Sequence, residues 1–276
     1  MLGFLAEIPF PNIDPVLIRL GPLAIRWYGL AFVLGFLVGN ALLRRLAVEK
    51  RLPVAPEAAG DVMIASLIGI VLGGRLGYVL FYDLAKFIEH PALIPQVWKG
   101  GLSFHGGLLG CAIAMFIYGR RRGITLTRLG DACVVSATPG IFLVRCANFI
   151  NGELWGRATD VPWAMRFPSG GDILRHPSQL YEGVLEGLLL FVLLWGFRNH
   201  RLLKPEGALM AAFLTGYGII RFVIEFFREP DAHLGEVLWR FSMGQLLCIA
   251  MILAGVLVWV WSARRHNPRA TGATPT

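Results

Sequence analysis

Seven stretches of about twenty mostly apolar residues run through this chain, and a run of that length is stable as a helix crossing the hydrocarbon core of a bilayer. They lie roughly at 23–43, 60–82, 100–119, 131–150, 178–197, 206–227 and 241–262. The balance of 55% hydrophobic against 16% charged residues is far too apolar for an ordinary soluble domain. The expected fold is an all-α integral membrane protein of seven transmembrane helices, a single polytopic domain over 1–276. Turn chemistry in the long connection at 151–177, with Gly152, Gly156, Pro162, Pro168, Gly170 and Gly171, predicts a small folded cap outside the membrane. The stretch 83–99 mixes Phe87, Ile88 and Trp98 with charges, as an interfacial arm does, and the polar tail 263–276 is expected to be flexible and cytoplasmic.

The net charge of +8 suggests nucleic acid until the cations are placed. If the odd-numbered helices run inward, the inner connections and tail hold fourteen of the 26 lysines and arginines, among them Arg44, Arg45, Arg120, Arg121, Arg122, Arg264 and Arg265. The positive-inside rule then puts the N-terminus outside and the C-terminus in the cytoplasm, with no need for a nucleic-acid partner. No cleavable leader is evident, since Glu7, Pro9, Pro11, Asp14 and Pro15 stand where a basic and then apolar region belongs. Cys111, Cys133, Cys146 and Cys248 fall inside apolar segments and read as small buried hydrophobes, not as a disulfide framework or metal site.

Glycines four apart, at 35 and 39, at 69, 73 and 77, and at 106 and 110, are spaced for close helix contact. Pro139 with Gly140 predicts a kink in the fourth helix.

Three arginines stand inside the spans: Arg75, Arg145 and Arg221. Each costs roughly 2.5–3.5 kcal/mol at a bilayer centre, so each needs a reason. With the assumed topology, Arg75, His105, Arg145, Asn148, Asn151, Tyr217, Arg221 and Glu225 all fall in the outer half of the membrane, with Arg26 and Tyr28 near the outer end of the first helix. A one-sided arginine site fits an anionic phospholipid head group, because guanidinium is suited to bidentate phosphate binding. Bland alternatives stand beside this: Arg75 bonded to carbonyls in its Gly-rich stretch, Arg221 paired with Glu225, and Arg26 and Tyr28 as interfacial anchors. A flippase would use the same arginines without chemistry, but transport needs polar groups through to the other face. HExxH, the Walker lysine motif, GxSxG and paired aspartates at depth are all missing, which weakens protease and hydrolase readings.

The segments IDPV, GPLAIRWYGL, GGRLGYVLFY, GGLSFHGGLLG, RCANFINGELWG, HPSQLYEG and YGIIRFVIEFFREPD closely resemble the prolipoprotein diacylglyceryl transferases of bacterial plasma membranes, over positions 13–231. The run from Arg145 to Gly156 matches that family's diagnostic pattern, with Val144 where the family usually has glycine. The resemblance implies transfer of the diacylglyceryl group of phosphatidylglycerol to the lipobox cysteine of a prelipoprotein, giving a thioether and glycerol 1-phosphate, with no cofactor or metal. It also implies Arg145 and Arg221 at the phosphate and His105 as the base. Asn148, Asn151 and Glu153 would orient the head group, Glu225 would hold Arg221, and Tyr28, Gly156 and Tyr217 would line the substrate site.

Overall fold

A computed structural model describes residues 8–21, 23–229, 236–238 and 241–266. The far end of the predicted tail, with Arg269, lies outside the described residues, as do Glu7, Pro230, Asp231 and Arg240. Helices occupy all seven apolar stretches: α1 Trp27–Val48, α2 Ala59–Phe81, α4 Phe104–Arg122, α5 Leu126–Ile150, α6 Ser178–Phe197, α7 Ala208–Ile224 and α8 Met243–His266, with a short α3, Leu84–Glu89, between α2 and α4. By length and composition, five (α1, α2 with its preceding turn, α5, α6 and α8) are long and apolar enough to cross a membrane. Only 17% of the apolar window of α8 is buried by the rest of the chain, so hydrocarbon is the solvent that suits its surface. The chain is a mostly helical, multi-pass membrane protein.

The all-α expectation is corrected by two small antiparallel hairpins, β1 Val16–Leu20 with β2 Leu23–Arg26, and β3 Glu236–Leu238 with β4 Phe241–Ser242. In the first, Asp14 Oδ1 accepts the Val16 N–H at 2.8 Å, and Gly21 turns the chain at φ +60°. The residues Leu-Ala-Ile-Arg therefore pair as a strand, and α1 starts at Trp27, not near residue 23.

Two compact units divide the chain, residues 40–132 and residues 1–39 with 133–276. In the first, α2 and α4 pack through their glycines: a methyl group on Gly73 would collide with the Gly106 carbonyl, and one on Gly110 with the Gly69 carbonyl. Arg75 is buried there against the loop after α3. Its Nε donates to the Ile94 carbonyl at 2.7 Å, Nη1 to Gly100 and Gly101 at 2.7 and 3.0 Å, and Nη2 to Leu93 at 2.6 Å. The guanidinium also lies 5.0 Å from the Phe87 ring centroid.

In the second unit α5 runs unbroken through Pro139. Proline cannot donate to the Val135 carbonyl, and the Thr138 hydroxyl does so instead, at 2.9 Å. α6 opens as an α-turn, widens to a π-helix over Gly183–Leu189, and returns to α over Leu190–Phe197. Gly187 lies so close to the Phe142 backbone on α5 that an added Cβ would stand 2.5 Å from the Phe142 nitrogen. The segment 151–177 is held by isolated antiparallel bridges, Ala158 and Met165 to Arg175 and Gly156 to Arg228. Phe10, Phe149 and Phe167 form an aromatic cluster at its base.

Candidate active site

Within the second unit, three arginines converge on one carboxylate. Glu182, near the start of α6 and fully buried, places Oε2 2.8 Å from Arg145 Nη2 on α5 and 2.8 Å from Arg221 Nη1 on α7. Its Oε1 is 3.7 Å from Nε of Arg228, just beyond α7. Glu186, four residues on, is also fully buried and sets Oε1 3.6 Å from Arg221 Nη1, with the Tyr217 hydroxyl beside it. Helical spacing of four brings Tyr217, Arg221 and Glu225 onto one face, and Glu225 Oε2 is 3.4 Å from Arg221 Nη2. Arg221 therefore meets three carboxylates, which offset the cost of burying it.

A second network continues from Arg145. Its Nη1 reaches Asn148 Oδ1 at 3.4 Å, and the Asn148 and Asn151 amides donate to Glu153 Oε1 at 2.8 and 3.1 Å. Glu153 lies in the turn after α5, where Gly152 and Leu154 take left-handed backbone angles, φ +65° and +58°. The start of α6 is fastened to the same turn, by the Gln179 amide on the Glu153 carbonyl and the Ser178 hydroxyl on the Leu154 carbonyl. The C-terminal ends of α5 and α7 and the N-terminal ends of α6 and α8 thus contribute to one end of the unit.

At the start of α8, Ser242 and Gln245 form a reciprocal cap: the Ser242 hydroxyl accepts from Gln245 N at 3.1 Å and Gln245 Oε1 accepts from Ser242 N at 3.0 Å. The same hydroxyl donates to Glu225 Oε1 at 3.0 Å.

The expected residues separate into groups. Arg145, Asn148, Asn151 and Glu153 form one hydrogen-bonded chain, and Arg221, Tyr217 and Glu225 form the adjoining cluster, with Glu182 joining the two. Gly156 has a packing role: its N–H donates to the His176 carbonyl at 2.8 Å, and a methyl group there would collide with the Phe227 carbonyl. Tyr28 is exposed on α1, its ring edge-on to Phe32 at 5.2 Å. His105 belongs to the unit of residues 40–132, exposed at the second position of α4 with its ring 5.6 Å from that of Phe104. Arg75 makes its bonds to backbone carbonyls in that same unit.

Beside the arginine cluster, Trp163 Nε1 donates to the Tyr181 hydroxyl at 2.6 Å, and that hydroxyl lies 3.1 Å from His176 Nδ1. Burial pulls the His176 imidazole below the usual histidine range, which keeps it neutral and able to accept the tyrosine proton.

A profile of the prolipoprotein diacylglyceryl transferase family matches residues 15–261. The chain belongs to that family. Curated relatives named phosphatidylglycerol–prolipoprotein diacylglyceryl transferase, from Brucella canis, Brucella ovis and Brucella melitensis, are each 50% identical to it over 96% of both chains. Identity at that level reaches well beyond the diagnostic segment, so the whole helical frame belongs to the prolipoprotein diacylglyceryl transferases.

Sequence reasoning missed Glu182, Glu186 and Arg228. Glu182 ends the HPSQLYE run and Glu186 follows four residues later in an otherwise apolar span. Two carboxylates at helical spacing in such a span were the available signal, since they need buried cations as partners.

Proposed function

We propose that this chain transfers the diacylglyceryl group of phosphatidylglycerol to the lipobox cysteine thiol of a prelipoprotein at the plasma membrane of a bacterium. In the reaction the bond between the glyceryl carbon and the phosphate oxygen breaks, the sulfur–carbon bond forms, the electron pair leaves with glycerol 1-phosphate, and the thiol proton passes to a base. Catalysis then requires donors aimed at the departing phosphate. The observation that carries the reading is the joining of Arg145 and Arg221 through buried Glu182 in a chain of this family.

In this reading Arg145 binds the phosphate with guanidinium edges that Glu182 does not occupy, and Arg221 supports it from the other side. His105 takes the thiol proton; its exposed imidazole is the supporting observation. Asn148, Asn151 and Glu153 orient the head group, and Tyr28 contacts substrate. All seven long helices cross the membrane, with the N-terminus and the 151–177 cap outside and the C-terminus in the cytoplasm, an arrangement that the bias of arginine and lysine supports.

The test incubates purified protein with phosphatidylglycerol and a lipobox peptide and weighs the peptide. Gain of one diacylglyceryl mass on cysteine is expected; an unchanged peptide sinks the reading, and lipid flux without a covalent product points to a flippase.

A further inference from the structure

We propose that Glu182 is a charge-tuning and positioning residue that makes the arginine cluster hold a monoanionic phosphodiester and release a dianionic phosphomonoester. The inference rests on the reaction proposed above.

The geometry is unusual for a simple ion pair. One oxygen, Oε2, is shared at 2.8 Å by guanidiniums from two different helices, while Oε1 has no hydrogen-bond partner among the described residues. With no exposed side-chain surface, the charge is poorly screened by water. Its position is fixed by the π-helix that follows and by Gly183, where an added Cβ would stand 3.2 Å from Arg145 Cβ. Arg145 gives one N–H to Oε2 and one to Asn148, and Arg221 turns Nη1 to Glu182 and Glu186 and Nη2 to Glu225, so of the five N–H donors on each some remain for a phosphate, in a site that already holds a fixed negative charge.

The substrate phosphate is a diester with one negative charge. When the carbon–oxygen bond breaks, the leaving group becomes a monoester whose second ionisation lies near pH 6, so at neutral pH it carries close to two charges. Arginines alone would favour the product over the substrate. A buried carboxylate beside them repels each phosphate charge once, and therefore opposes the dianion more than the monoanion. The charged and titratable groups facing Glu182 are Arg145 on α5, Tyr217, Arg221 and Glu225 on α7 and at its end, Arg228 beyond it, and Glu186 on its own helix.

Direct calorimetric binding of two soluble probes to the full-length protein in detergent tests this: glycerol 1-phosphate, a monoester, and glycerophosphoglycerol, a diester whose charge stays constant between pH 5.5 and 7.5. The affinity of the monoester relative to the diester is expected to rise about fivefold or more in the wild-type protein as pH falls through 6 and the monoester loses its second charge. In Glu182→Gln, the monoester at pH 7.5 is expected to bind about tenfold tighter, with about threefold or less change for the diester, and the wild-type pH trend is expected to flatten or reverse. Equal tightening of both probes, or none, overturns the proposal, because a residue that only props up the arginines would not distinguish them. So does a wild-type protein that prefers the monoester at pH 7.5 over pH 5.5. If Glu182→Gln cannot be isolated folded, Glu182→Asp, which keeps the charge but draws it back from the arginines, is expected to shift the monoester-to-diester ratio the same way by a smaller factor, and an unchanged ratio overturns the proposal. Failure of the peptide-mass assay would remove the reaction while leaving the affinity ratio measurable.

Discussion

Arg75 and Arg145 look alike in the sequence, each a cation in an apolar run, and differ in what their nitrogens touch. Arg75 bonds only neutral backbone carbonyls, which makes it a brace for the 93–101 loop. Arg145 bonds a carboxylate and a carboxamide, a setting from which an incoming phosphate can recruit it. Arg75→Ala is therefore expected to cost about 3 kcal/mol or more of stability, seen as a lowered melting midpoint in detergent. Arg145→Lys is expected to melt close to wild type while peptide lipidation slows about a hundredfold, since lysine has no planar fork. Near-normal turnover in that variant would remove Arg145 from the phosphate. The arginines were legible in the sequence because their cost in lipid singles them out. Glu182 carried a signal of the same kind, a carboxylate in an apolar run with Glu186 four residues on, but its partners lie 37 residues back at Arg145 and 39 ahead at Arg221, so nothing local named them.

At the scale of elements, hydrophobic length located all seven long helices, and the glycine spacing of α2 and α4 is the spacing at which they meet. Two local features escaped it. A strand of four residues against a turn at Gly21 is too short to show a period, so β2 read as the start of α1. The π-helix of α6 has no composition of its own, and it is the feature that aims Glu182 and Glu186. Deleting Leu185 should convert the wide turn to an ordinary one and rotate Glu182 by about 100° against Leu190–Phe197. The expected result is a folded helix by circular dichroism with lipidation reduced to background. Gly187→Leu should be worse, because the side chain must occupy the place of Phe142, and the purified yield is expected to fall sharply.

For the molecule as a whole, the apolar surface sets the environment, and the proposed topology, with the 151–177 segment outside, can be tested by labelling. Asp172, whose side chain is 97% exposed in the 151–177 segment, should react as Asp172→Cys with a membrane-impermeant maleimide added to spheroplasts, whereas Arg121→Cys should react only after permeabilisation. The opposite pattern would reverse the topology. The His176 contacts predict acid sensitivity. Its native pKa lies below that of the unfolded chain, so the unfolded state binds more protons and stability falls as pH drops through about 6.5. Trp163 fluorescence should report this loss below that pH, and His176→Phe should abolish the change. Ser242 carries a consequence of a different kind. Its oxygen lone pair secures the first turn of α8 while its hydrogen faces Glu225, so the two duties can be separated by chemistry. Aspartate at that position keeps an acceptor for the cap but turns a donor into a repelling charge. Ser242→Asp is thus a lever for loosening Glu225 from outside the arginine cluster while leaving α8 started in the same register.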